Sequence, residues 1–254
     1  MRIRLAALVV AFVVSGADAQ VSDVRVMSSG ATAPAYLQLI PSFESATKLK
    51  AVTLATSNGV GAANIATRLR GGEAVDVLFL SAEIMDQMIK EGHVVAASRA
   101  DIGRSAIGVG VLAGAKRPDV STVEALKQTF LDARSIAISA QISGVYLTTE
   151  LFPALGIAAQ VMPKVRRVEN EPVGNALVRG EAELGVQQIS ELRGVKGVDY
   201  VGPLPDAVQR VSVFSVGIAT KAPNPSGAKA FVELVLSPAG QAVLKQSGLE
   251  PILR

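Results

Sequence analysis

Four short stretches place hydroxyl, amide or backbone-donor residues where the apolar pattern of the chain breaks. They are Ser28-Ser29-Gly30, Thr56-Ser57-Asn58-Gly59, Ser143-Gly144-Val145-Tyr146 and Val186-Gln187-Gln188-Ile189-Ser190. Each falls beside a predicted strand or helix end. A helix N-terminus carries unpaired N–H groups and roughly half a positive charge, so it forms a natural cradle for anions. Several such ends facing one cleft would hold a small anion with few charged side chains.

Each stretch also has a plainer use. Ser28-Ser29-Gly30 would serve as a turn and a cap, but ligands of open α/β sheets sit beyond the carboxyl ends of strands, where this trio falls. The glycines of Thr56–Gly61 permit close backbone approach. No Gly-x-x-x-x-Gly-Lys-Ser/Thr string occurs, which argues against nucleotide hydrolysis. Gly108-Val109-Gly110 lies inside a strand pattern and lacks the third glycine of a dinucleotide fingerprint. Gln187 and Gln188 end an apolar strand, where burial without partners is costly, so they require protein partners or a ligand. Glu169 and Glu171, flanking Asn170, are candidate catalytic carboxylates. His93 is the only histidine and reads as a solvated turn residue. No Ser-His-Asp set assembles, and neither a metal site nor a cofactor is expected.

Strands alternate with helices to position these stretches. Apolar runs at Val24–Met27, Val52–Ala55, Val75–Leu80, Ile107–Leu112, Ser135–Ser139, Leu184–Gln187, Val198–Val201 and Val211–Thr220 read as strands. Helical spacing appears over Ala33–Ala46, Ala62–Leu69, Ile84–Glu91, Thr122–Asp132 (opened by Ser121), Val145–Leu155, Gly174–Arg179, Ser226–Leu236 and Ala239–Ser247. This alternation predicts an α/β protein with largely parallel sheets.

Composition narrows the class. Arg2 and Arg4, the apolar run Leu5–Val14 and Ala17-Asp18-Ala19 read as a cleaved signal peptide over residues 1–19, hence export to the periplasm. The run is too short for a membrane span, so no stable membrane insertion is expected. What remains is long enough for either one large domain or two lobes of about 100–120 residues each. A net charge of only +3, no Trp and 4% aromatic residues argue against nucleic-acid binding. The absence of Cys excludes disulfides and thiol chemistry.

The motifs carry a family resemblance. Ser-Ser after the first strand, a Ser/Thr loop after the second, Gly71-Gly72-Glu73-Ala74-Val75-Asp76-Val77-Leu78-Phe79-Leu80-Ser81 and Leu236-Ser237-Pro238-Ala239-Gly240-Gln241-Ala242-Val243-Leu244 resemble the molybdate-binding-protein-like group of type II solute-binding proteins. The resemblance implies a two-lobed periplasmic binding protein with a hinged inter-lobe cleft. Residues 20–104 plus 208–254 would form one lobe and 105–207 the other. It also implies ligand contacts from Ser28, Ser29, Gly30, Ser57, Asn58, Ser143, Gly144, Val145, Val173, Gln187 and Gln188. Gln188 stands where molybdate binders place a tyrosine. The blocks around Ser143, Glu171, Arg179 and Gly185–Leu192 instead resemble a divergent branch that includes a periplasmic aconitate isomerase.

Three functions follow as expectations. The first is capture of an aconitate- or citrate-like polycarboxylate by a monomer that delivers it to an ABC permease. The second is isomerisation of aconitate, with Glu171 or Glu169 as a base made less acidic by desolvation and Tyr146 as another proton carrier. The third is binding of molybdate or another oxyanion.

Overall fold

The computed structural model describes residues 23–252. The leader expected over residues 1–19 lies outside them. In chain order the strands are β1 (Val24–Ser28), β2 (Ala51–Ala55), β3 (Val77–Ser81), β4 (Ala100–Ser105), β5 (Ile107–Leu112), β6 (Ile136–Ser139), β7 (Val165–Val168), β8 (Leu184–Gln188), β9 (Val198–Pro203), β10 (Ser212–Ile218) and β11 (Glu250–Pro251). They form a six-stranded sheet in the order β11-β4-β10-β3-β1-β2 and a five-stranded sheet in the order β7-β6-β8-β5-β9.

The sheets are mixed, which corrects the largely parallel expectation. β1 runs parallel to β2 and β3, and β6 parallel to β7 and β8. The remaining pairings are antiparallel, all of them involving β4, β5, β8, β9, β10 or β11. The reason is connectivity. The chain leaves the first sheet through β4, enters the second through β5, and returns from β9 to β10. Strands entered this way run against their neighbours, whereas the βαβ units keep theirs parallel.

Local chemistry explains most element boundaries. Val77–Ser81 is buried throughout, so its run is apolar on both faces. The helix Val123–Asp132 is capped by the Thr122 side chain, which accepts from the Ala125 N–H; the expected cap Ser121 lies one residue too early. The expected helix Ala62–Leu69 is interrupted at Asn64, whose side chain caps a fresh helix, Ile65–Arg70. Helical structure around Pro153 begins already at Ile142 and contains a π turn over Leu147–Leu151. Wider turns of this kind accommodate irregularities in the ladder.

Each sheet has its own core. Tyr36, Phe43, Phe79 and Phe231 cluster under the first sheet, with Phe43 and Phe231 ring centroids 4.7 Å apart. Phe130 and Phe152 meet edge-to-face at 5.2 Å under the second. Edge-to-face packing suits the ring quadrupoles. Asp76, fully buried, accepts from the N–H groups of Arg25 and Asn224 at 2.7 and 2.6 Å, tying β1 to the start of the C-terminal helices. Among the described residues no helix is long and apolar enough to cross a membrane.

Candidate functional site

In both sheets the strand order reverses direction beside a central strand. β1 leads to β2 on one side and is joined by β3 on the other; β6 stands likewise between β7 and β8. Ligand crevices open at such switch points, beyond the carboxyl ends of the strands. The two crevices face each other. Between them lies a narrow cleft with about 430 Å³ of space unfilled by protein, open solvent at its mouth included.

The first sheet contributes Ser29, Gly30, Ala31, Ser57, Asn58 and Phe214 to this cleft. The second contributes Ser139, Gln141, Ile142, Ser143, Val168, Asn170, Glu171, Gln187, Gln188 and Glu191. Four stretches singled out by their sequence therefore meet. None of the described residues lining the cleft is Lys, Arg or His.

Donors are available on the first-sheet side. Ser29 continues β1 by donating its N–H to Phe79 O, and its hydroxyl bonds Thr32 Oγ1 at 2.9 Å. Asn58 is buried in the same lining and its Oδ1 has no protein partner, an unmet acceptor that costs about 1–3 kcal/mol. Ser28 lies beneath rather than in the cleft. It is fully buried, and its hydroxyl bonds Thr32 Oγ1 and Ser29 O.

The expected residues of the second sheet divide. Ser143 lines the cleft, at the start of the helix Ile142–Tyr146. Gly144 packs behind it, where a Cβ would stand 1.7 Å from the Ser139 carbonyl oxygen. Gly144→Ala is accordingly expected to destabilise the fold by about 2–3 kcal/mol, read as a lower midpoint in urea unfolding. Val145 points outward, exposed, and its N–H is already donated to Gln141 O. Tyr146 lines a neighbouring surface pocket instead; its hydroxyl donates to Val208 O at 2.8 Å and Arg210 stacks over its ring. Val173 is buried and its N–H is donated to Gln187 Oε1 at 2.7 Å. These bonds take Val145, Tyr146 and Val173 out of direct reach of a ligand.

Gln188 also has protein partners. Oriented to satisfy its surroundings, its amide nitrogen donates to Ser105 O at 3.0 Å and Ala106 O at 3.2 Å, while its oxygen accepts from Ser212 Oγ at 3.2 Å. Ser105-Ala106 and Ser212 belong to the two segments that cross between the sheets. Gln188 thus straps the crossing strands together at the back of the cleft.

The carboxylates reverse the expectation. Glu169 is exposed and outside the cleft lining. Glu171 borders the cleft but is held by Arg179, with Oε1 2.6 Å from Nη2. Its pKa is lowered, chiefly by that guanidinium, so it is not the base of raised pKa that its loop position suggested. The group that behaves this way is Glu191, which sequence reasoning missed.

Glu191 lies in the first turn of the short helix Ile189–Arg193, which starts directly at the end of β8. The residue is half-buried and lines the cleft. Gln187 Nε2 donates to Oε2 at 2.5 Å. Among the described residues no cation pairs with it. Burial raises its pKa to about 8 against the smaller opposing effect of the Gln187 amide. Across the cleft stands Gly30, where an added Cβ would lie 2.2 Å from Glu191 Oε2. Two further contacts join the sides: Gln141 Nε2 donates to Gly59 O at 2.8 Å, and Val60 N–H to Asn170 Oδ1 at 3.1 Å. No group of three or more His, Asp or Glu side chains able to hold a metal is found among the described residues.

Two sheet-based halves with a polar cleft between their switch points define a type II periplasmic binding protein fold. The chain belongs to the bacterial extracellular solute-binding protein family, whose model matches residues 24–250. It is 37% identical over 233 residues to an aconitate isomerase from Pseudomonas sp., covering 91% of this chain and 89% of the relative. Among solved structures it resembles the Azotobacter vinelandii periplasmic molybdate-binding protein, with a TM-score of 0.71 at 18% identity, covering 91% of this chain and all (100%) of that one. The binding protein AgtB from A. tumefaciens R10, solved with agropinic acid, superposes with a TM-score of 0.65 at 15% identity, covering 91% and 83%. The last two likenesses concern the fold.

Proposed function

We propose that the protein interconverts cis- and trans-aconitate, or a close tricarboxylic analogue, by moving one proton across an allylic system in the cleft. The observation that carries this reading is Glu191: a carboxyl facing the cleft, without a cation, beside hydroxyl and amide groups. The aconitate isomerase relative supports the substrate class.

In this reaction the Glu191 carboxylate removes a proton from the methylene carbon of the acid. The C–H electron pair delocalises over the allylic system into the adjacent carboxylate, giving a dienolate. Donors fixed before the charge develops stabilise it, a part we assign to the hydroxyls of Ser29, Ser57 and Ser143, three residues that line the cleft. The protonated Glu191 then returns the proton to the other end of the allylic system, which shifts the double bond and lets its geometry change. Atoms and electrons balance without a metal or redox partner. One group serves as base and then acid, because Glu171 is committed to Arg179.

The test is incubation of the purified protein with cis-aconitate, following the trans isomer by NMR. Turnover that rises with pH through about 8, as Glu191 ionises, is the expected result. Tyr146→Phe should keep most of the activity, since its hydroxyl serves only Val208 O. Unchanged cis-aconitate would overturn the reading.

A second reading, capture of the same acid for delivery to an ABC permease, is favoured by membership of the solute-binding family. Tight binding with no turnover would select it. Molybdate is the weakest candidate, because the molybdate-binding protein shares only 18% identity with this chain against 37% for the aconitate isomerase; calorimetry with molybdate would detect it. In both carboxylate readings the mature chain is an exported periplasmic monomer.

A further inference from the structure

Gln187 is buried and uses both ends of its amide. Oε1 accepts the N–H of Val173, the first residue of the helix Val173–Val178. That helix follows Pro172 and has no side-chain cap at its N-cap position, so Gln187 supplies the acceptor from another strand. The bond fixes which way the amide faces. The reversed orientation would set an NH₂ against an N–H and an oxygen against a carboxylate, both repulsive. Nε2 is therefore held toward Glu191 Oε2.

We infer that Gln187 is a positioning residue: clamped by the Val173 N–H, it pins one oxygen of Glu191 and leaves the other to face the ligand. This rests on Glu191 as the base. Gln187 and Glu191 are four residues apart across the junction of β8 and its helix, so the clamp and the carboxyl move as one piece. The amide also works against burial, because a donor to a carboxylate favours its ionised form. Other ionisable groups leave the carboxyl alone. β5, β8 and the helix Val173–Val178 carry none. On the remaining packed elements, Tyr36 bonds Thr53, Glu44 pairs with Lys50, Asp199 pairs with Arg117, Glu171 pairs with Arg179, and Arg193 and Tyr200 make no hydrogen bond to Glu191.

Two variants test the clamp. Gln187→Leu removes both bonds; Gln187→Glu keeps an acceptor for Val173 N–H but replaces the permanent donor with a second carboxyl, which shares a proton with Glu191 or repels it once ionised. Both should lower kcat for cis-aconitate by about 10–100-fold with KM changed less than about threefold, and move the midpoint of the pH–rate profile upward. Retention of kcat within threefold by folded Gln187→Glu would overturn the inference. So would an unmoved midpoint.

A second measurement needs no turnover. The difference in melting temperature between each variant and the same variant carrying Glu191→Gln is followed against pH. A shift of that titration to higher pH supports the clamp even if wild-type protein proves inactive, and no shift overturns it. Failure of the isomerase reading is thereby distinguished from failure of the clamp.

Discussion

Glu191→Gln is expected to lower cis-aconitate turnover by about 10³-fold, the scale of a lost general base, and also to make the protein harder to melt at pH 9. The second effect follows from proton linkage. Between the ordinary carboxyl value of 4.5 and the folded value of about 8, the native chain retains a proton that the unfolded chain has released. Stability therefore falls as pH rises through that window and levels off above it. Glutamine keeps the shape and an acceptor for the Gln187 amide but never ionises. We expect a gain of about 1–3 kcal/mol at pH 9, allowing for water on the cleft side, and almost none at pH 4. Melting curves across pH 4–9 measure it. A variant that isomerises at the wild-type rate, or a stability difference independent of pH, would mean that Glu191 is not the base.

Gly30→Ala should cost about 10²-fold in kcat/KM while leaving the melting temperature within a few degrees. Gly30 is not in the left-handed backbone region, so alanine fits its own turn. The added methyl instead meets the Glu191 carboxyl, 2.2 Å from Oε2 and 2.7 Å from Cδ. Either the carboxyl turns aside or the cleft stops short of closing. A misplacement of about 1 Å at a reacting group accounts for a loss of that size. Combining Gly30→Ala with Glu191→Ala removes the clash, so small-angle scattering with ligand should show compaction recovered in the double variant. Full activity in the single variant would mean that the two sides never approach this closely during turnover.

Much of the cleft is legible in the sequence because its donors sit where strand patterns end. Ser29, Ser57, Ser143 and Gln187 follow apolar runs, and the strand-to-helix alternation predicts which ends face a crevice. Glu191 escapes for a local reason. β8 passes into its helix without a loop, so Glu191, in the first turn of that helix, still lines the cleft. The detectable signal is the four-residue spacing from Gln187. Glu171 misleads because its partner Arg179 lies at the far end of the intervening helix, and only folding brings them together. Gln188 reads as a ligand donor because its partners, Ser105 and Ser212, are distant in sequence. Pairing direction in the sheets is likewise set by long-range crossings that periodicity does not encode.

The cleft lining without lysine, arginine or histidine bears on the medium in which the protein works. Charged surface groups lose their pull as dissolved salt shortens the screening distance, to about 8 Å at 0.15 M. Dipoles and hydroxyls pressed directly against a ligand are far less affected. Affinity for an anionic ligand should therefore change little between dilute and saline solution, so a titration repeated at low and at high salt should return nearly the same Kd.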